Sequence, residues 1–142
     1  MRFAAVILCS ALATACASSR PFWDCVTPLI QVSALPQLGE TLADPGPTCT
    51  RELVSPSQMW PSYDADVDGV RYTLGVDGER RVHYVATHDR AFRTPEGWKT
   101  GDLAPEGTVR REAGWGDFVA LASGWNAFIG NDGRIVFFFR RD

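Results

Sequence analysis

The clearest order in this chain is an alternation of apolar and polar residues at period two. Val70, Tyr72, Leu74 and Val76 fall on one face of an expected strand, and Val82, Tyr84 and Ala86 on one face of the next. Asp77-Gly78 stands between them, and Asp-Gly supplies the positive φ angles of a tight hairpin turn, so the two strands are expected to pair antiparallel. The C-terminal third repeats this pattern. Phe118 to Ala122, Ser123-Gly124, Trp125 to Ile129, Asn131-Asp132-Gly133 and Ile135 to Phe139 read as a three-stranded meander. In its last strand Ile135, Phe137 and Phe139 are expected on one face and Val136 and Phe138 on the other, the mark of a central strand buried on both sides. Weaker strands are expected at Thr50 to Val54, Met59 to Tyr63, Arg90 to Thr94 and Thr108 to Glu112, about eight in all. Beyond the N-terminus no apolar stripe at i, i+3, i+4 and i+7 lasts more than about two turns. The expected fold is therefore mainly β: a single antiparallel domain over residues 25–142, built as a meander, sandwich or partly open barrel, with little helix.

Two segments are echoed. Leu74-Gly75-Val76-Asp77-Gly78 matches Ile129-Gly130-Asn131-Asp132-Gly133, and Gly39-Glu40-Thr41-Leu42-Ala43-Asp44-Pro45 matches Gly101-Asp102-Leu103-Ala104-Pro105. Two related half-domains would follow from a true repeat, but Asp-Gly turns recur in any β protein, and coincidence is the weightier reading.

The N-terminus departs from the alternation. Arg2, the apolar run Phe3 to Leu12 and the small residues Ala13-Thr14-Ala15 have the layout of an export signal over residues 1–15. An apolar run of roughly ten residues is half the length needed to cross a bilayer. Ala13-Thr14-Ala15-Cys16 resembles the lipobox of bacterial lipoproteins, although Leu12 stands four places before the Cys rather than three. That resemblance implies an acylated Cys16, a tether over residues 16–24, and, with no Asp following the Cys, the periplasmic face of the outer membrane. A cut after Ala15-Cys16-Ala17 satisfies the A-x-A rule instead and would release a soluble secreted or periplasmic protein. Either cut leaves Cys25 and Cys49 as the remaining pair in an oxidising compartment, where a disulfide is expected. The loop between them holds Pro28, Pro36, Pro45 and Pro47. Closing about 25 residues contributes roughly 3.5 kcal/mol in the chain-entropy treatment.

Composition narrows the function. About 125 residues remain after the signal, enough for one core. The net charge of −3 does not suit a phosphate-tracking nucleic-acid binder. Lys99 is the sole lysine, which leaves one candidate for any amine chemistry.

Candidate chemistry is sparse. Asp64-Ala65-Asp66-Val67-Asp68-Gly69 spells D-x-D-x-D-G, the opening of a calcium loop with Asp64, Asp66 and Asp68 as ligands; twelve-residue loops end on a bidentate Glu, and Gly75 stands there. The plainer reading is an acidic hairpin turn. Trp98 and Trp115 lie in Gly-rich loops, where an exposed aromatic suits a binding surface for a sugar or a protein; the other reading places them in the core. His83 and His88-Asp89 offer an imidazole and a carboxylate, but no nucleophile elbow or third metal ligand accompanies them. Arg80-Arg81, Arg110-Arg111 and Arg140-Arg141 either gather at strand ends to meet anionic lipid or glycan, or are ordinary solvated positions. No catalytic residue is assigned.

Thr94-Pro95-Glu96-Gly97-Trp98-Lys99-Thr100-Gly101-Asp102, then Gly114-Trp115-Gly116, then Leu121-Ala122-Ser123-Gly124-Trp125 resembles a family of small exported bacterial proteins of unknown function. The family pattern is T-P-x-G-aliphatic-x-x-G-[ST], G-W, L-x-S-G-W. This chain places Trp98 at the aliphatic position and Asp102 at the Ser/Thr position. The resemblance implies a β-rich envelope domain and transfers no activity. These observations together lead to the expectation of an envelope lipoprotein that binds an envelope protein or cell-wall glycan without catalysis. A soluble inhibitor, a calcium-dependent adhesion module and an envelope hydrolase are the alternatives.

Overall fold

The computed structural model describes residues 26–46, 48–52, 59–107, 109–112 and 116–142. The export signal, Cys16, the tether, Cys25 and Trp115 lie outside the described residues. Cys49 lies within them on a strand, its side chain aside.

Strands are β1 (Leu29–Gln31), β2 (Cys49–Glu52), β3 (Met59–Val67), β4 (Val70–Val76), β5 (Val82–Thr87), β6 (Val109–Glu112), β7 (Gly116–Ala120), β8 (Asn126–Ile129) and β9 (Ile135–Arg141), with no helix among the described residues. They form one open sheet in the order β1-β3-β4-β5-β9-β8-β7-β6, with β2 also on β3. Every pairing is antiparallel except β1 on β3. The sheet is neither a sandwich nor a closed barrel. β2 lies along the first half of β3's outer edge and β1 along the second.

Several local expectations are corrected. β3 does not stop at Tyr63. Tyr63 and Ala65 are buried while Asp64 and Asp66 point away from them, so the alternation runs through the acidic stretch, and only Asp68 (φ 50) and Gly69 (φ 78) turn. Both central φ angles are positive in this two-residue hairpin, the type I′ arrangement that Asp-Gly favours. Asp77-Gly78 behaves differently. The Arg80 amide donates to the Asp77 carbonyl (3.0 Å) and the Asp77 amide to the Arg81 carbonyl (3.0 Å), so the positive φ falls on Arg80 (φ 62) and not on Gly78. Arg90 to Thr94 forms no strand. Asp89 accepts the Ala91 amide on its side chain and the Phe92 amide on its carbonyl, which turns the chain. β1 was not expected, being short and set in Pro-rich sequence.

Faces are also reassigned. Gly75 pairs Tyr84 while Val76 pairs Val82, so His83 is an extra residue, a β-bulge. Phe128 pairs Phe137 while Ile129 pairs Ile135, which makes Val136 the same kind of extra residue. Each bulge flips what precedes it. Val82 and Ile135 join Leu74, Val85, Ala127 and Phe138 in the larger core cluster, and Tyr84, Ala86, Phe137 and Phe139 make a second cluster on the opposite face with Phe118. β9 is thus central and covered on both faces, as its unbroken apolar run implied. The larger cluster is roofed by loops, through Leu42, Phe92 and Trp125.

The two halves repeat. β4-β5 and β8-β9 have the same register, with Thr73↔Ala86, Leu74↔Val85 and Gly75↔Tyr84 matching Asn126↔Phe139, Ala127↔Phe138 and Phe128↔Phe137, and the bulge at the same place. The loop arms repeat too. Gly39 N–H donates to the Val82 carbonyl, Val82 N–H to Glu40 and Leu42 N–H to Arg80; likewise Gly101 N–H donates to Ile135, Ile135 N–H to Asp102 and Ala104 N–H to Gly133. Gln37 N–H is capped by the Glu40 side chain, and Lys99 N–H by that of Asp102. The halves meet across β5 and β9, whose register places the pseudo-two-fold at the pair Ala86↔Phe139. The arm segments correspond residue for residue from Gly39 with Gly101 onward, which sets Ala43 rather than Pro45 with Pro105. The hairpins correspond two residues away from their alignment in sequence, Val76 with Ile129 and Arg80 with Gly133.

Candidate functional site

One turn geometry recurs in the loops of the second half. At 94–98 the Gly97 amide donates to Thr94 and the Thr94 amide to Trp98; at 121–125 the Gly124 amide donates to Leu121 and the Leu121 amide to Trp125. Gly97 (φ 95) and Gly124 (φ 83) take the left-handed position, where a Cβ is disfavoured. The two turns are tied together, since Glu96 Oε1 accepts the Ser123 amide at 2.6 Å. Lost water contact pushes the Glu96 carboxyl up, but hydrogen bonds from its own amide, Ser123 and Thr94 outweigh this and hold it below the ordinary value.

Trp98 is set on this rigid frame. Its amide is fixed by Thr94 Oγ1 at 3.2 Å; its ring is half-buried against the larger core cluster and also lines a groove of about 520 Å³ with Pro105, Leu121, Ala120, Glu96 and Glu106. Trp98 therefore takes part in both of its sequence readings, core and surface. Trp125 belongs to the core, with the Arg140 guanidinium 4.3 Å from its ring centroid.

The remaining candidates have structural partners. Both Asp66 oxygens are held by Arg71, one of them at 2.9 Å from Nη2. Asp64 accepts from Thr73 Oγ1 at 2.9 Å, and Asp68 is exposed in the hairpin turn. Among the described residues no three His, Cys, Asp or Glu side chains gather as a metal site. His83 Nδ1 lies 2.6 Å from Asp142 Oδ2 and its Nε2 lies 3.1 Å from Asp77 Oδ2. Two carboxylate acceptors require two N–H donors, so the ring is an imidazolium clamp between the C-terminus and the β4-β5 turn. The hydrogen bond to Asp77, and then Asp142, raises the His83 pKa. Asp77 is held well below the carboxylate range, first by the Arg81 amide, then by His83, the Arg81 side chain and the Glu79 amide. His88 stacks on Phe137 at 4.6 Å, and the Asp89 carboxylate accepts the Arg71 and Ala91 amides.

The arginine pairs do not collect. Arg80 faces Asp44, Arg81 reaches Asp77 and Glu79, Arg111 pairs with Asp117, and Arg140 covers Trp125. A different cationic set comes together instead. Arg90, Arg93, Lys99 and Arg134 line a second groove of about 670 Å³, in which the Asp102 and Asp132 carboxylates accept backbone amides. Arg134 is distant in sequence from the other three and is brought beside them by the pairing of the 101–104 arm with the 133–135 turn.

Comparison with protein-family models, curated proteins and solved structures finds no match for this chain.

Proposed function

We propose that this chain is an exported envelope module that acts by binding, with the Trp98 groove as its contact surface. The supporting observation is the preorganisation of Trp98. Its turn is closed by Gly97, pinned by Thr94 and braced through Glu96 to the neighbouring turn. An aromatic face held in this way loses little conformational entropy when a partner covers it. The layout of residues 1–16 supports export, with acylated Cys16 holding the domain to the periplasmic face of the outer membrane and a Cys25–Cys49 disulfide stapling its start. The partner is an envelope protein or a cell-wall glycan. Trp115 belongs to the same surface by its Gly-rich setting in sequence.

Two measurements test this reading. The intact mass of the protein from a bacterial membrane extract is expected to begin at an acylated Cys16; a soluble form beginning at Ser18 would favour a diffusible inhibitor. In affinity capture from solubilised envelopes, Trp98→Ala is expected to reduce partner recovery at least tenfold. Unchanged recovery together with a lowered melting temperature would make Trp98 a core residue only.

A further inference from the structure

The Trp98 groove has a counterpart in the other half of the molecule, and there it is bordered by a strand. β1 lies on the outer edge of β3, with Leu29↔Asp64, Ile30↔Ala65 and Gln31↔Asp66 in parallel register and the Asp64 amide donating to the Pro28 carbonyl at 2.8 Å. Ile30 and Val32 pack against the core while Leu29 and Gln31 are exposed. A groove of about 650 Å³ runs beside β1 and is walled by Pro36, Ala43 and Asp44.

The repeat carries each of these positions into the second half. The arm register sets Pro36 with Trp98, Ala43 with Pro105 and Asp44 with Glu106, and all three partners line the Trp98 groove. The hairpin registers set Ser62 with Phe118, each facing the equivalent residues Gly75 and Phe128. Asp64 then corresponds to Ala120 and Ala65 to Leu121, while Ala122, in the place of Asp66, already lies in the 121–125 turn. Those three line the groove together with Gly107 and Val119. The edge on which β1 lies in one half is therefore the floor of an open groove in the other. The chain path accounts for the difference. In the first half the chain reaches its arm from the sheet edge, as β1; in the second it arrives from β5 through residues 88–93. Among the described residues β6 covers β7 only from Gly116 to Val119, and Ala120 is exposed.

We infer that the Trp98 groove receives an extended peptide segment of a partner protein, added as a strand parallel to β7 with an aliphatic side chain directed at Trp98 and Leu121. This rests on the binding reading above and names its partner class. β1 itself shows which chemistry fits: aliphatic residues at the alternate inward positions, as Ile30 and Val32, with Leu29 and Gln31 outward, and main-chain hydrogen bonds to the sheet edge. Glu96 and Glu106 stand where the first half has Ala34 and Asp44, so the second groove favours a segment carrying Lys or Arg.

The probe is a synthetic peptide copying residues 26–33, Val-Thr-Pro-Leu-Ile-Gln-Val-Ser, with a Lys added at its end. It is titrated into the mature, oxidised protein with amide signals followed by NMR. Saturable shifts at Ala120 to Ala122 are expected, together with at least tenfold weaker binding to Trp98→Ala. Ala120→Pro removes an outward N–H on an edge, where proline is tolerated, and is expected to weaken binding equally at an unchanged melting temperature. Should that variant misfold, Trp98→Ala and a shuffled peptide that breaks the alternation carry the test. Shifts confined to Asp64 to Asp66, or affinity equal for the shuffled peptide, would overturn the inference. Binding of cell-wall glycan fragments in a Trp98-dependent way, with none of the peptide, would overturn it while sparing the binding reading. Binding of neither would overturn both.

Discussion

Arg80 and Gly133 occupy the same position of the same turn, at φ 62 and φ 75. A left-handed conformation costs an L-residue roughly 1–2 kcal/mol, which glycine avoids. Arg80 recovers little through its pair with Asp44 at 3.3 Å, because both side chains are well exposed. Arg80→Gly is therefore expected to stabilise the protein by about 1 kcal/mol, and Gly133→Ala to destabilise it by a similar amount. Chemical denaturation of the two variants checks both signs. A Cβ at Gly133 meets nothing within 4 Å, so the second effect is one of backbone alone. The His83 clamp gives a pH signature. Its raised pKa means that its contribution is complete below the unfolded histidine value of about 6.5 and is lost as pH rises through the folded value. Asp77 has a lowered pKa, so its contribution is present above about 3.9 and is lost as pH falls toward its folded value. Melting temperature against pH is expected to peak between these limits, and His83→Gln to flatten the alkaline side.

β9 shows how much one strand's neighbours decide. Phe138 is fully buried in the larger cluster, whereas Val136, two residues away, is 41% exposed because it is the bulged residue. Phe138→Ala is expected to cost about 3–5 kcal/mol, and Val136→Thr to stay within about 0.5 kcal/mol, by equilibrium unfolding. A strict period-two reading had paired Val136 with Phe138 on one face. The alternation in β4, β5, β8 and β9 was legible because one or both of their faces are buried, and burial is what writes a pattern into sequence. A bulge leaves no such mark, since one extra residue shifts the phase without changing composition. β3 was half legible: its acidic outward positions resembled a ligand set until cross-strand Thr73 and Arg71 supplied their partners. The site divides in the same way. Trp98 was visible as a tryptophan in a Gly-rich turn, while Ala120 and Leu121 carry no distinctive chemistry and belong to the groove only because β7 ends there.

At the scale of the molecule, the repeat does not make two independent units. The cluster under the loop roof mixes both halves: Tyr72 stacks 6.4 Å from Trp125 and meets Phe92 edge-on at 6.0 Å. Leu74 and Val85 from one half share that cluster with Ala127 and Ile135 from the other. Separating the halves would expose the β5 and β9 edges and strip Tyr72 from Trp125 and Phe92. Chains this short bury a smaller fraction of their surface and are marginal alone, and here each half would also lose the partner that covers its side of the shared cluster. Residues 26–90 and 91–142, produced separately, are therefore expected to show no cooperative thermal transition, and an equimolar mixture to recover one. A cooperative transition in either half by itself would place the core within a half rather than across the pseudo-two-fold. The same architecture explains why the halves can differ at their outer edges. The shared centre at Ala86 and Phe139 must be kept by both, whereas the outer edge of β3 and that of β7 contribute little to it. One edge is therefore free to be covered by the chain's own β1 and the other to remain a groove.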